Sequence, residues 1–135
     1  MINAQEALIY GMVMASAADG AMRDGELRAI GDAVTHLPVF DGFNPDHLIR
    51  TAQTCAKRLG EPNGLETTLD LIEAALPEHL RETAFCLASD IAYSAHQVTV
   101  EEERLLEKLR FRLRIGKLVA AALERGSRAR MARLT

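Results

Sequence analysis

Aromatic side chains are scarce in this chain of 135 residues: they make up 4% of it, and tryptophan is absent. A core must then be built from Leu, Ile, Val, Ala and Met, a composition that favours packed helices over sheets, which prefer aromatic and β-branched residues. The hydrophobic content of 48% is enough for one core in a chain of this length. We therefore expect one domain built from helices.

Cysteine is also rare, and the two present, Cys55 and Cys86, lack the spacing of a metal site. Each falls within an apolar helical pattern, which predicts a buried thiol; a disulfide and a reactive thiol are the alternatives. A secretory leader is not expected, because the apolar run at 7–18 follows Glu6 and no Lys or Arg precedes it. That run is shorter than the roughly 20 residues that cross a bilayer. We expect a reducing, cytoplasmic location.

Sequence motifs of nucleophilic or zinc catalysis are absent. There is no Gly-x-Ser-x-Gly, no Cys/His motif and no glycine-rich phosphate loop. The histidines lack the His-x₃-His and His-Glu-x-x-His spacings of zinc sites; they are His36, His47, His79 and His96. We therefore expect a protein that is not an enzyme, with an acidic helical active site as the alternative.

Apolar residues recur at helical spacing in seven segments. We expect helices at 3–19, 24–37, 45–59, 65–76, 78–95, 100–113 and from 117 onward. The first has a wide apolar face, which predicts a central position. The expected fold class is all-α, a single-domain bundle of about seven helices.

Turn and cap residues mark the ends of these helices. Asn44 before a proline, and Thr99 with Glu102, fit N-terminal caps. Gly60 is expected to close the third helix in a left-handed conformation. Leu27 is expected on the inward stripe of the second helix. The expected apolar face of the seventh helix is Leu118, Val119, Ala122 and Leu123.

Two of the helical corners form an approximate repeat. The stretch that ends at Glu26 recurs loosely in the stretch that ends at Glu102. In each copy an apolar residue, Met22 or Val98, stands four positions before the glutamate, which opens the next helix. The matched copies indicate two helical hairpins related by pseudo-symmetry, and acidic residues at the two corners converge if the hairpins pack face to face.

The corners resemble the TerB-like family, the tellurite-resistance helical domain also found in membrane-linked DnaJ-type co-chaperones. That family's pattern is an alanine-rich helix ending in Ala-Asp-Gly, a small turn, an apolar residue and a helix that starts near a glutamate, and 18–26 match it. The second copy has Ala95 and His96 in place of Asp-Gly. The resemblance implies a seven-helix bundle that serves tellurite and stress responses as an accessory or interaction domain. It divides the chain into a TerB-like helical domain at 1–125 and an Arg-rich tail at 126–135, which is expected to fray.

Carboxylates at the corners fit a divalent-cation site. Oxygen ligands suit Ca²⁺, Mg²⁺ or Mn²⁺, and the resemblance implies metal sensing through an acidic surface. The expected ligands are Asp19, Asp24, Glu26 and Glu102. The alternative is local structure: a turn at Asp19, a cap at Asp24 and a partner for the helix dipole at Glu26. For Glu102 the alternative is a capping role alone.

Charge is strongly segregated along the chain. Residues 1–103 hold 17 of the 19 acidic and 6 of the 16 basic residues, a net charge of −11, whereas 104–135 carry +8. The basic segment either neutralises the acidic body or binds a partner. The expected partner-binding residues are Arg110, Arg112, Arg114, Arg128 and Arg130.

These observations predict a non-enzymatic TerB-like accessory domain of a bacterial tellurite-resistance or stress-response system, with a cation-binding acidic corner. Its expected partners are other proteins of such a complex, and sequence-specific nucleic acid is not expected, because the second corner is acidic. A membrane surface, reached only through the basic tail, and a homodimer are further alternatives. The alternative functions are a dedicated cation-binding or sensing protein and an enzyme with an acidic helical active site.

Overall fold

Helices make up the regular structure of the chain. The computed structural model describes residues 1–18, 20, 22–94 and 97–135, and these contain no β-strand. The α-helices are α1 (Ala4–Ala17), α2 (Asp24–His36), α3 (Leu48–Leu59), α4 (Gly64–Ala75), α5 (Arg81–Tyr93), α6 (Val100–Arg112) and α7 (Lys117–Arg130). Short 3₁₀-helices lie at Pro38–Phe40, Pro45–His47 and Glu78–Leu80. The all-α expectation is confirmed, and the segments predicted at 45–59 and 78–95 each begin as a 3₁₀ turn.

Side-chain caps begin several of these helices where the sequence predicts them. The Asn44 side chain accepts a hydrogen bond from the backbone N–H of Asp46 at 3.0 Å. Thr99 Oγ1 accepts from the Glu102 N–H at 3.1 Å, and Glu102 Oε1 accepts from the Thr99 N–H at 2.9 Å. Such reciprocal bonds satisfy amides that have no partner within the helix. Both predicted caps are confirmed.

The turn between α3 and α4 differs from the prediction. Gly60 ends α3 with φ −79°, so the expected left-handed closure there is wrong. The left-handed residue is Asn63, with φ 58°, a conformation that asparagine tolerates better than most residues. Gly64 follows because space is short: a Cβ there would lie 2.7 Å from the carbonyl oxygen of Leu59. α3 therefore ends at the expected residue, and the left-handed residue lies three positions after Gly60.

α1 is the central helix of the bundle. Every residue from Ala7 to Ser16 is buried, and the helix packs most extensively against α5, followed by α3 and α4. An apolar surface on all sides of a helix needs neighbours on all sides, so the predicted central position is confirmed. α2 and α6 each pack against both α1 and α5, which is the arrangement expected of two pseudo-symmetric hairpins. Among the described residues, no helix combines the length and apolar content needed to cross a membrane.

α7 lies mainly against α5, which leaves it only a narrow buried face. That face contains Ala120 and Ser127, with Leu123 half-buried between them. The predicted apolar face is wrong at three of its four residues, because Leu118, Val119 and Ala122 are exposed. A helix that touches one neighbour buries one stripe, and these three residues fall outside it.

α7 also continues through the predicted start of the tail at 126 and ends at Arg130. Ser127 is fully buried, and its hydroxyl donates to Asp90 Oδ1 on α5 at 2.6 Å. The Ser89 hydroxyl donates in turn to Ser127 Oγ at 2.8 Å, and the Arg130 guanidinium pairs with Asp90. These polar contacts hold 126–130 in the helix, against the expected fraying.

Both cysteines are free thiols, and they differ in burial. Cys55 is fully buried, its sulfur lies 3.9 Å from the Tyr10 carbonyl oxygen, and burial raises the pKa of its thiol to about 12. Cys86 is half-buried, and burial, together with the Asp90 carboxylate, raises its pKa. The prediction of a core thiol is confirmed at Cys55 and holds in part at Cys86.

Candidate functional site

The first corner buries a carboxylate at the start of α2. Glu26 is 0% exposed, and its Oε1 accepts the backbone N–H of Arg23 at 2.9 Å. The Arg23 guanidinium lies 3.9 Å from the same oxygen. Leu27 is exposed instead of turning inward, because this first turn of α2 places Glu26 against the core. The spacing of apolar residues predicts that Leu27 points inward, but its neighbour Glu26 takes that position.

The second corner repeats this geometry at the start of α6. Glu102 is also 0% exposed, and its Oε1 accepts the backbone N–H of Thr99 at the same distance, 2.9 Å. In both corners a glutamate at the third helical position therefore folds back onto the residue before the helix. The two hairpins share a buried carboxylate as well as an apolar pattern.

The predicted cation ligands are placed differently from one another. Glu26 and Glu102 are fully buried, whereas Asp24 is exposed at the first position of α2 and does not cap it. Asp19 and the corner residue His96 lie outside the described residues. Within the described part of the chain, no group of three or more His, Cys, Asp or Glu side chains is arranged to hold a metal ion. The four-carboxylate site stays a prediction, because Asp19 belongs to it.

Among the predicted partner-binding residues, Arg112 is bound to its own chain. Its guanidinium contacts three carboxylates of α4: Glu73 at 3.1 Å, Glu66 at 3.2 Å, and Asp70. Lys108, one turn earlier on α6, lies 3.7 Å from Glu66. These contacts connect α6 to α4 and neutralise acidic residues of α4. They agree with the alternative that the basic segment at 104–135 neutralises the acidic part of the chain at 1–103.

Arg110 is likewise engaged within the chain. It contacts Glu107 at 2.6 Å and donates to the Ile115 carbonyl oxygen at 2.9 Å, closing the turn after α6. A hydrogen bond from Arg110 also lowers the pKa of Glu107. Together with Arg130, which pairs with Asp90, this leaves two of the predicted partner-binding arginines with less internal contact, Arg114 and Arg128.

Arg114 and two apolar residues near it along the chain are exposed around the turn between α6 and α7. The Arg114 side chain is 74% exposed, and its guanidinium forms a long ion pair with Glu73, at 4.0 Å. Phe111 is 75% exposed and Leu118 85% exposed. Sequence reasoning missed Phe111, although a signal was present: it falls outside the inward spacing of Leu109 and its neighbours on α6.

Comparison with protein-family models, with curated proteins and with solved structures finds no match to this chain. The resemblance of the two corners to the TerB-like family therefore rests on the residues quoted for it.

Proposed function

We propose that the chain is a non-enzymatic interaction domain that binds an acidic partner protein through the turn between α6 and α7. The α6–α7 surface is defined here by Phe111, Arg114, Lys117 and Leu118. The observation that carries the proposal is the exposure of two large apolar side chains, Phe111 at 75% and Leu118 at 85%, within four residues of the exposed Arg114 along the chain. Large apolar side chains with arginine at hand are typical of the centre of a protein interface.

The charge of this surface favours an acidic partner. Arg114 and Lys117 are exposed, whereas the neighbouring Arg110 and Arg112 are occupied by carboxylates of the chain itself. A left-handed backbone at Arg114, with φ 59°, turns the chain sharply between the two helices. Charges on such a rim steer association and select the partner.

The wider assignment follows the corner resemblance. We place the domain in a bacterial stress-response or tellurite-resistance complex, as an accessory protein of the TerB-like kind. Support comes from the all-α fold, the paired hairpins and the matched buried glutamates at their corners.

Photo-crosslinking in cells tests the partner surface. A photoreactive amino acid at position 118 should crosslink one discrete protein, and the same residue at position 49 should not, since exposed Ile49 lies on α3. Arg114→Glu with Lys117→Glu should abolish the crosslink, while growth of the double variant on tellurite should fall to that of a strain lacking the gene. Identical crosslinks from positions 49 and 118, or none from either, contradict the partner surface. Unchanged tellurite survival of the gene-deleted strain contradicts the tellurite assignment alone.

A second candidate function is divalent-cation binding at the acidic corners. The observation that favours it is the burial of Glu26 and Glu102 at equivalent positions, because buried carboxylates are kept where they are paired or bind cations. Glu26→Ala would also remove a cap, so Asp24→Asn is the better variant, since Asp24 is exposed.

Calorimetric titration of chelator-treated protein with Ca²⁺, Mg²⁺ and Mn²⁺ tests this second function. Stoichiometric binding should weaken in Asp24→Asn and persist in Asp46→Asn, a control at an exposed aspartate before α3. Absence of heat and of any thermal shift would leave the corner carboxylates as turn and capping residues.

A further inference from the structure

A cavity of about 590 Å³ lies beside the end of α5, between the second corner and the C-terminal segment. Its apolar lining includes Val98, Met131 and Ala132, and the charged residues among the described lining are Arg128 and Arg133. No acidic residue is among the described residues that line it. Small-molecule sites are typically concave, mostly apolar and supplied with a few polar groups that fix orientation.

The two arginines differ from others in the basic segment. Arg110, Arg112 and Arg130 each contact a carboxylate of the chain. Arg128 and Arg133 make no ion pair with any described residue, and both border the cavity. Guanidinium groups bind carboxylates through paired, charge-assisted hydrogen bonds, so two of them at one apolar cavity select an anion.

Glu124, one turn before Arg128 on α7, is a carboxylate near these arginines. It accepts a hydrogen bond from the Tyr93 hydroxyl at 3.5 Å; burial raises the pKa of Glu124 and the charge of Arg128 opposes that rise, although Glu124 and Arg128 form no ion pair. Asp90 is taken by Ser127 and Arg130. The Ser94 hydroxyl, which also lines the cavity, donates to the Ile91 carbonyl oxygen at 2.8 Å.

We propose that this C-terminal cavity binds a small organic carboxylate, whose apolar body lies against Val98 and Met131 and whose carboxylate is held by Arg128 and Arg133. The site is separate from the α6–α7 surface, because Leu118 and Arg128 are about 15 Å apart along the axis of α7. The experiments on the cavity and on the α6–α7 surface can therefore succeed or fail independently.

Calorimetric titration with 2-naphthoate tests the proposal, beside its uncharged match 2-naphthamide and inorganic phosphate as an anion without an apolar body. Naphthoate should bind saturably, at least tenfold more tightly than either comparison ligand. Arg128→Gln and Arg133→Gln should each weaken naphthoate binding at least fivefold. The control Arg125→Gln should bind as the unmodified protein does, since Arg125 is an exposed arginine of α7 outside the cavity lining.

Several results would overturn the site. If naphthamide bound as tightly as naphthoate, the arginines would not recognise the carboxylate. If phosphate bound as tightly, the apolar lining would not contribute to binding. An equal loss in Arg125→Gln and in the cavity variants would mean that binding follows net charge. A lack of saturable naphthoate binding by the unmodified protein at millimolar concentration would rule out the site directly. Because all three arginines are on the surface, far-UV circular dichroism should show the same helical content in each variant.

Discussion

Replacing Ser127 by alanine tests whether the buried polar contacts between α5 and α7 stabilise the fold. The Ser127 hydroxyl donates to Asp90 at 2.6 Å and accepts from Ser89 at 2.8 Å, and both serines are fully buried. In Ser127→Ala, the Ser89 hydroxyl loses its acceptor in the core, and Asp90 loses a short, charge-assisted hydrogen bond.

The magnitude follows from these contacts. An orphaned buried hydroxyl costs about 1–3 kcal/mol, and the lost hydrogen bond to a charged group adds about 1 kcal/mol here, since Asp90 is partly exposed to water. Alanine returns roughly 0.5 kcal/mol through its higher helix propensity. We expect Ser127→Ala to lower the free energy of unfolding by about 2 kcal/mol.

A double-mutant cycle separates the orphaned group from the lost bond. Ser89→Ala alone leaves the Ser127–Asp90 bond in place and should cost about 0.5–1 kcal/mol. Adding Ser89→Ala to Ser127→Ala removes the orphan, so the double variant should be less destabilised than the sum of the singles by about 1 kcal/mol. The exposed Thr54, whose hydroxyl bonds only within α3, provides the control Thr54→Ala, with an expected change of roughly 0.5 kcal/mol or less.

Urea unfolding followed by circular dichroism at 222 nm measures each free energy. A loss below about 0.5 kcal/mol in Ser127→Ala, or strict additivity in the double variant, would refute this account of the α5–α7 contact.

Three further predictions concern pH, capping and salt. Burial raises the Cys55 pKa to about 12 from 9.0, so the unfolded chain loses this proton at lower pH than the folded chain does. The free energy of unfolding should therefore fall between pH 9 and 12, with a contribution from Cys55 of up to about 1.4 kcal/mol per pH unit. Urea unfolding at several pH values should show a shallower fall for Cys55→Ala. Glu102→Ala should lower the free energy of unfolding, measured in urea, by about 1–2 kcal/mol, whereas Glu103→Ala, at an exposed position, should lower it by less than about 0.5 kcal/mol. Equal losses in the two variants would contradict the role of Glu102 as a buried cap. Arg112→Met should cost about 1 kcal/mol at low salt and much less in 1 M NaCl, whereas Arg104→Met, at an exposed position without an ion pair to the described residues, should show neither effect.

Local patterns of the sequence were enough to predict the helices. Spacing of apolar residues located all seven α-helices of the described residues. The Thr99 cap fixed where α6 begins, and the Asn44 cap fixed where the 3₁₀ turn before α3 begins. These signals act within one or two helical turns, so they need no knowledge of the neighbours. The left-handed conformation was expected at Gly60 and not at Asn63, because glycine adopts it more readily than other residues. The close approach of the α3 backbone to Gly64, which marks the tight turn, exists only in the folded chain.

The candidate sites were less predictable because they depend on contacts between distant segments. Nothing near Arg112 along the chain reveals that Glu66, Asp70 and Glu73 surround it, since α4 and α6 meet only in the folded bundle. The exposure of Leu118 has the same origin: α7 rests mainly on one helix, so an apolar residue on its other side has no neighbour to cover it.

The burial of α1 also constrains how the bundle is made. A ribosome completes α1 before it synthesises α3, α4 and α5, which are the helices that cover it. During that interval the apolar surface of α1 is not covered by its native neighbours, and its most extensive packing forms only when α5 has been made. Folding must therefore wait for distant segments, a condition that slows folding and lengthens exposure to aggregation. Newly made chains should for this reason depend on a holding chaperone more than a bundle with a peripheral first helix would.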